Sequence, residues 1–198
     1  MMLLLLLVLG APVPMPVDAT GMCTAYTQGQ DVAEGAFRVC VDVAHRAEAI
    51  GVDPWFAAAM AYKETRFDPT RRGDGGFSLG VFQVSLLYHC HPPKGRNDRF
   101  RTARVRAASC NLTDEGLKTM VAIMGVPKSR RTKVLPRYKA GKLYVPESQR
   151  KLYHVAAEYK GGPKPNEAAH KSAWRVMKAV RDAKARYRRA QRASRREG

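Results

Sequence analysis

The chain has 198 residues, of which 45% are hydrophobic and 26% charged, which is ordinary for a globular protein and predicts one domain with a core, plus tails. The 35 Lys and Arg residues outnumber the 17 Asp and Glu, and the net charge of +18 predicts attraction to a polyanion such as nucleic acid, anionic lipid or a carboxylate-rich cell wall. The basic residues crowd the termini and loops with few aromatic residues among them, which argues against dedicated nucleic-acid binding.

Residues 1–19 are predicted to be a signal peptide. Met1 to Val8 is rich in leucine but too short to cross a bilayer as a stable helix, and alternating prolines follow it. Val17-Asp18-Ala19 offers small residues at the two positions that define a cleavage site. A lipoprotein is disfavoured because Met22, just before Cys23, is too large for the usual lipobox. We therefore expect a periplasmic or secreted bacterial protein with no membrane span after cleavage.

The four cysteines are even in number and follow an export-like leader, so disulfides are predicted. Three pairings are possible, and we favour Cys23 with Cys40 and Cys90 with Cys110 because they close the shorter loops. Cys40 also fits an apolar helix face, where a reduced cysteine could serve as a small core residue. A zinc site at His89-Cys90-His91 is disfavoured because paired Cys-x-x-Cys spacing is missing.

Five stretches have apolar residues at helical spacing and a sixth, Arg99–Ala108, reads as a basic helix, so the chain is predicted to be mostly α-helical. Asp31 and Glu34 make a capping-box-like start for the first helix, and Gly51 supplies its stop. Asn166 can cap the last helix, whose pattern dissolves into an arginine-rich tail that is expected to be a frayed, solvated extension. The predicted helices are Asp31–Ile50, Pro54–Arg66, Arg99–Ala108, Thr113–Met124, Ser148–Lys160 and the one behind Asn166, and the predicted loops are Thr70–Phe77 and Val126–Val145.

The second predicted helix carries a candidate acid. Asp53-Pro54 suits the N-cap and the first helical position. Phe56, Met60 and Glu64 fall on one face, which places a single carboxyl group at the end of a hydrophobic stripe. Burial disfavours the charged form of a carboxyl group, so such a glutamate can serve as a general acid. The alternative is a solvated glutamate near a helix end.

Three motifs follow one another around and after Glu64. They are Glu64-Thr65-Arg66-Phe67-Asp68-Pro69, Ser78-Leu79-Gly80-Val81-Phe82-Gln83 and Ala156-Ala157-Glu158-Tyr159-Lys160-Gly161-Gly162. These motifs resemble, in the same order, those of the soluble, goose-lysozyme-like lytic transglycosylases, which cleave the glycan strands of bacterial peptidoglycan. The family motifs are Glu-Ser-aromatic-Asn-Pro, then Gly-Leu-Met-Gln behind a serine, then Ala-Ala-Tyr-Asn-x-Gly. The resemblance covers roughly residues 31–180, with Thr65 in place of the serine and Lys160 in place of the asparagine.

The resemblance implies a mostly α, lysozyme-like helical domain with a cleft over residues 20–180, followed by a basic C-terminal tail at residues 181–198. It also implies that Glu64 protonates the glycosidic oxygen between N-acetylmuramic acid and N-acetylglucosamine. The resulting carboxylate then takes the proton from the muramyl C6 hydroxyl, which closes a 1,6-anhydro ring. One residue serves as acid and then base, so neither a metal nor a cofactor is expected, and the expected partner is the peptidoglycan glycan strand.

Ser78, Gln83 and Tyr159 are the candidates for binding the substrate and orienting the acid. In the family, the tyrosine that Tyr159 resembles hydrogen-bonds the catalytic carboxyl group. A hydrolytic muramidase is the first alternative function, with Asp74 or Asp68 as a second carboxylate that activates water. A catalytically inactive peptidoglycan-binding module is the second.

Overall fold

The computed structural model describes residues 18–86, 110–125, 150–162 and 164–197. These residues form six α-helices and a small three-stranded antiparallel sheet, which confirms the predicted mostly α fold. Two predicted elements, Arg99–Ala108 and Val126–Val145, lie outside the described residues, and so do residues 1–17 of the predicted leader. The helices are α1 (Ala19–Thr27), α2 (Ala36–Ala49), α3 (Pro54–Thr65), α4 (Leu112–Met124), α5 (Arg150–Gly161) and α6 (Glu167–Glu197), and the strands are β1 (Arg72–Gly73), β2 (Ser78–Leu79) and β3 (Val84–Ser85).

Two helices begin at the side chains that the sequence predicts as caps. Asp53 Oδ1 accepts from the Phe56 amide at 3.1 Å and caps α3. Asn166 Oδ1 accepts from the Ala169 amide at 3.0 Å at the start of α6. Each cap joins residues only three positions apart, so the local sequence is enough to locate it.

Helix α2 begins at Ala36, so the predicted start at Asp31 is wrong. The N-cap residue of α2 has a left-handed backbone and makes no side-chain cap. Asp31 instead forms an ion pair with Arg66, the C-cap residue that follows α3, and the Ala33 amide donates to the Arg66 carbonyl oxygen at 3.1 Å. The segment before α2 is therefore bound to the end of α3, and the predicted capping box with Glu34 is wrong as well.

Helix α1 is an element that the sequence pattern does not predict, and it starts at the residue after which cleavage is expected. Asp18 Oδ1 accepts from the Gly21 amide at 2.9 Å and caps the helix. The fully buried Tyr26 donates its hydroxyl proton to the Trp55 carbonyl oxygen at 2.8 Å. This bond holds α1 against the start of α3.

A disulfide joins α1 to α2. Cys23 and Cys40 are bonded, with their Cα atoms 5.7 Å apart, which confirms the first predicted pair. Both residues are fully buried, so the bond lies in the core. Cys110 is disulfide-bonded too. Cys90, its predicted partner, lies outside the described residues.

Helix α3 lies at the centre of the fold. It packs against α1, α2 and α6, and every residue from Phe56 to Ala61 is buried, as expected for a helix that is apolar on all sides. After its last residue, Arg66 and Phe67 both have a left-handed backbone, and Phe67 turns back into the core. Thr65 Oγ1 donates to the Val81 carbonyl oxygen at 3.1 Å. The end of α3 is therefore fixed to the segment that follows it.

That segment contains the small sheet, where a loop is predicted over Thr70–Phe77. β1 pairs with β2 and β2 with β3, with Gly73 opposite Ser78 and Ser78 opposite Ser85. A 3-10 turn at Asp74–Gly76 joins the first two strands. Each strand has two residues, which is too short to give an alternating pattern in the sequence.

Helix α6 is 31 residues long and packs along α3 as far as Trp55. The rings of Trp55 and Tyr187 lie 5.5 Å apart, and Ala183 is fully buried. The predicted domain boundary at residue 180 therefore falls within the packed part of the helix. Residues 188–196 are exposed but helical, where a frayed extension is predicted. No helix in the described parts of the chain is long and apolar enough to span a membrane.

Candidate active site

The end of α3, the sheet, α4 and α5 enclose an open cleft of about 500 Å³. All four predicted site residues line it, namely Glu64, Ser78, Gln83 and Tyr159. Asp74 and Lys160 line the cleft as well. The fold thus brings together residues that are as far apart in the chain as Glu64 and Lys160, which are separated by 96 positions.

Glu64 lies in the last turn of α3 and is nearly buried. Its side chain is 8% exposed, and its Oε2 atom accepts from Lys160 Nζ at 2.7 Å. The lysine side chain is 48% exposed, so it reaches the carboxyl group from the open side of the cleft. A charge-assisted hydrogen bond of this length is among the stronger polar contacts in proteins. The carboxyl group is therefore sheltered from bulk water while it still faces the cleft.

Tyr159 lies near Glu64, but its hydroxyl group has a different partner from the one that the family resemblance implies. It donates to the Phe82 carbonyl oxygen at 3.0 Å. Burial, and secondly the charge of Glu64, raise the pKa of Tyr159, so the phenol stays protonated and acts as a donor at neutral pH. The expected contact of this tyrosine with the carboxyl group is thus corrected: the tyrosine contacts the second motif, and Lys160 contacts Glu64.

Ser78 is buried in β2 and holds a second carboxylate in the cleft. Its hydroxyl donates to Asp74 Oδ2 at 2.5 Å. Asp74 is exposed and has a left-handed backbone, with φ of 50°, which is uncommon for a residue with a side chain. Ser78 therefore fixes the direction in which the Asp74 carboxylate points.

Asp68, the other candidate for a second carboxylate, is held in a turn. Its Oδ1 atom accepts from the amide and the hydroxyl of Thr70, at 2.8 and 2.6 Å. These hydrogen bonds lower the pKa of Asp68 because they favour its charged form. Asp68 is not among the described residues that line the cleft, so Asp74 is the better candidate of the two.

Gln83 lines the cleft and also stabilises its wall. Its Nε2 atom donates to the carbonyl oxygens of Arg71 and Gly80, both at 3.0 Å. A Cβ atom at Gly73 would lie 2.4 Å from Gln83 Oε1, so a side chain at that position would displace the amide. The glutamine thus connects the start of the sheet to the second motif.

Glu158 and Lys160 complete the charges of the cleft, and the sequence interpretation does not count them among the site residues. Glu158 lines the cleft with its Oε2 atom 3.7 Å from His154 Nε2, one turn earlier in α5. Lys160 occupies the position of the motif asparagine. Its place next to Tyr159 is a signal that could have identified it, but nothing in the local sequence indicates that its side chain turns toward Glu64.

The described residues contain no group of three or more His, Cys, Asp or Glu side chains that is placed to hold a metal ion. The alternative zinc site at His89-Cys90-His91 lies outside these residues. The polar groups that line the described cleft are carboxylates, amides, hydroxyls and one ammonium, a set suited to hydrogen bonding and proton transfer.

Comparison of the chain with models of known protein families, with curated proteins and with solved structures found no match. The function is therefore inferred from the residues of the cleft and from the order of the three motifs. Glu64 is the central residue for that inference, because it combines near-complete burial with access to an open cleft.

Proposed function

We propose that the protein is a peptidoglycan lytic transglycosylase with a lysozyme-like helical domain, and that it cleaves the β-1,4 bond between N-acetylmuramic acid and N-acetylglucosamine. The observation that carries the proposal is the nearly buried carboxyl group of Glu64 at the wall of an open cleft. The order of the three motifs supports the same function. Peptidoglycan as a substrate also agrees with the expected export of the chain to the periplasm or the exterior.

In this reaction Glu64 first gives its proton to the glycosidic oxygen, and the bond from that oxygen to the muramyl C1 atom breaks. The C6 hydroxyl oxygen of the same sugar then attacks C1, while the Glu64 carboxylate takes the hydroxyl proton. A 1,6-anhydro ring closes, no water is consumed, and Glu64 is protonated again for the next turnover. Its nearly buried position suits both steps, because water would otherwise compete for the proton and for the sugar.

The neighbours of Glu64 hold the two walls of the cleft in this proposal. The Tyr159 hydroxyl ties α5 to the second motif through the Phe82 carbonyl oxygen. Ser78 and Gln83 fix the opposite wall through their bonds to Asp74 and to two backbone carbonyl oxygens. A rigid cleft keeps the sugar and the acid in a fixed orientation, and such positioning supplies a large part of many enzymes' rate gain.

Mass spectrometry of the fragments released from purified peptidoglycan tests the proposal. The wild-type chain should release muropeptides lighter by one water than the reducing forms, and the Glu64→Gln variant should release none. Binding of both proteins to the same peptidoglycan is measured in parallel. Absence of release by the wild type with binding intact would support the inactive wall-binding module instead.

A hydrolytic muramidase is the second candidate, and the position of Asp74 favours it. This carboxylate lines the same cleft as Glu64 and is oriented by Ser78, as a base that activates water would need to be. Hydrolysis leaves a reducing sugar end in place of the anhydro ring. Reducing products that disappear in an Asp74→Asn variant would therefore establish the muramidase, whereas a transglycosylase should retain its anhydro products in that variant.

A further inference from the structure

The contact between Glu64 and Lys160 conflicts with the role of a general acid. A general acid must carry a proton at the moment of transfer. A carboxyl group that accepts a hydrogen bond from an ammonium group at 2.7 Å serves as an acceptor and has no proton to give along that bond. The Oε2 atom is therefore occupied by the lysine in this arrangement, and it becomes available to the glycosidic oxygen only when the lysine leaves.

Lys160 is able to leave without a change in the backbone. Its side chain is 48% exposed, whereas that of Glu64 is 8% exposed. A lysine carries its charge on a flexible four-carbon stem with three donors that can rotate toward a new partner. The carboxyl group is fixed by the end of α3, so the lysine is the part of the pair that moves.

The charges of the cleft indicate what would attract the lysine. Among the described residues that line the cleft, Lys160 is the only one with a positive charge, while Glu64, Asp74 and Glu158 are acidic. Glu158 faces His154, and Asp74 accepts from a buried serine, so both have other partners. Lys160 is therefore the one group of the described cleft lining to which an anionic part of a substrate can bind favourably.

We propose that Lys160 is a carboxylate-binding residue that selects substrates by their acidic groups. A carboxylate on the muramyl residue or its stem peptide binds the ammonium, and this contact draws Lys160 away from Glu64, whose Oε2 atom is then free to face the glycosidic oxygen. The inference rests on the proposed function for its substrate. If Lys160 binds the carboxylate, a neutral or amidated glycan is a poorer substrate than the acidic one.

Short soluble peptidoglycan fragments with stem peptides provide the test, either native or with their carboxylates converted to neutral methylamides. The fragments are short enough to fit within the cleft, so the basic tail does not contribute to a preference between native and amidated fragments. We expect the wild-type chain to cleave native fragments about tenfold faster than amidated ones, as one charge-assisted hydrogen bond of ordinary net strength allows. The Lys160→Met variant should show a ratio near one, and Lys160→Arg should keep the wild-type preference.

Lys151→Met is the matched control, because Lys151 lies on the same helix and is exposed but does not line the cleft. It should retain the wild-type ratio. A Lys160→Met variant that keeps the tenfold preference would overturn the proposal. So would a wild type that cleaves native and amidated fragments equally.

Binding of the two fragments to Glu64→Gln protein, measured by calorimetry, separates this inference from the proposed function. Glu64→Gln protein should bind the native fragment more tightly than the amidated one, and the Glu64→Gln/Lys160→Met double variant should bind both equally. That result supports the carboxylate site even if the wild type shows no turnover. Equal binding of both fragments to Glu64→Gln protein overturns the site even if the wild type is an active transglycosylase.

Discussion

The two ends of α3 carry the same groups in different surroundings. Tyr26 near the start and Tyr159 near the end each donate a hydroxyl proton to a backbone carbonyl oxygen, at 2.8 and 3.0 Å. Burial raises the pKa of both phenols, and a nearby carboxylate, Asp53 at the start or Glu64 at the end, raises it further. The two ends therefore differ in how their carboxylates are bound rather than in which groups they contain.

The carboxylate at the start of the helix is bound by backbone, and the one at the end by a side chain. Asp53 accepts from the Phe56 amide, and its closest lysine, Lys184, remains 4.0 Å away. Glu64 accepts from the half-exposed Lys160 at 2.7 Å. A carboxylate that caps a helix stabilises the fold and is not available for chemistry. A carboxylate that is held by a flexible lysine can be released for chemistry.

Replacing each carboxylate in turn gives the largest expected contrast. Glu64→Gln should lower the release of anhydro products by at least about 10³-fold, the order that general acid–base catalysis contributes, so that no release is detected. Asp53→Ala should keep the activity and cost about 1 kcal/mol of unfolding free energy through the lost cap. Product mass spectrometry and thermal unfolding measure the two effects. Equal loss of activity in both variants would contradict the assignment of chemistry to one end.

Removal of the disulfide between α1 and α2 tests the start of α3 alone, which is the end away from the cleft. Its cysteines are 17 positions apart, and closing a loop of that length stabilises a protein by about 3 kcal/mol in the chain-entropy model. The Cys23→Ala/Cys40→Ala double variant should lose about that much unfolding free energy in chemical denaturation. Its folded molecules should keep full activity, because the cleft lies at the other end of α3. Reduced activity at a temperature where the variant is fully folded would show that the two ends are coupled.

The sequence predicts those features of the two ends of α3 that depend on residues close together in the chain. The start of α3 follows from Asp53-Pro54, and the face that presents Glu64 follows from helical spacing. The features that it does not predict join distant residues. Arg66 binds Asp31 and thereby delays the start of α2, and Lys160 reaches Glu64 from 96 positions away. Tertiary contacts of this kind override local propensity and leave no periodic signal.

Tyr26 and Tyr159, two of the phenols whose pKa is raised by burial, give a pH-dependent test of the comparison. A phenol whose pKa is raised on folding stabilises the protein fully below pH 10, its ordinary value, and loses this contribution as the pH rises above 10. Unfolding free energy should therefore fall above pH 10 in the wild type and fall less steeply in Tyr26→Phe and in Tyr159→Phe. At neutral pH each lost hydrogen bond should cost about 1 kcal/mol. An alkaline slope identical in all three proteins would show that neither phenol is linked to unfolding.

The exposed end of α6 should have the smallest effect on the fold. Residues 188–196 are exposed and begin just after Tyr187, which packs on Trp55 at the end of α3 that lies away from the cleft. Deletion of residues 188–198 should change the unfolding free energy by less than about 1 kcal/mol, because the segment is exposed and the deletion removes one exposed hydrogen bond, from Gln191 Nε2 to the Tyr187 hydroxyl at 2.6 Å. Cleavage of short soluble fragments should be unchanged. A larger loss of stability would place this segment within the packed domain.

Attraction to the polymeric wall is the property that the same deletion should change. The segment 188–196 contains five arginines, which form bidentate bonds with carboxylates and phosphates. Co-sedimentation with insoluble peptidoglycan should therefore weaken at low salt and match the wild type at high salt, where exposed charges are screened. A variant with the five arginines replaced by lysines keeps the charge and should bind nearly as well if attraction is non-specific. Unchanged binding of the deletion at low salt would assign the attraction to the basic residues of the domain itself.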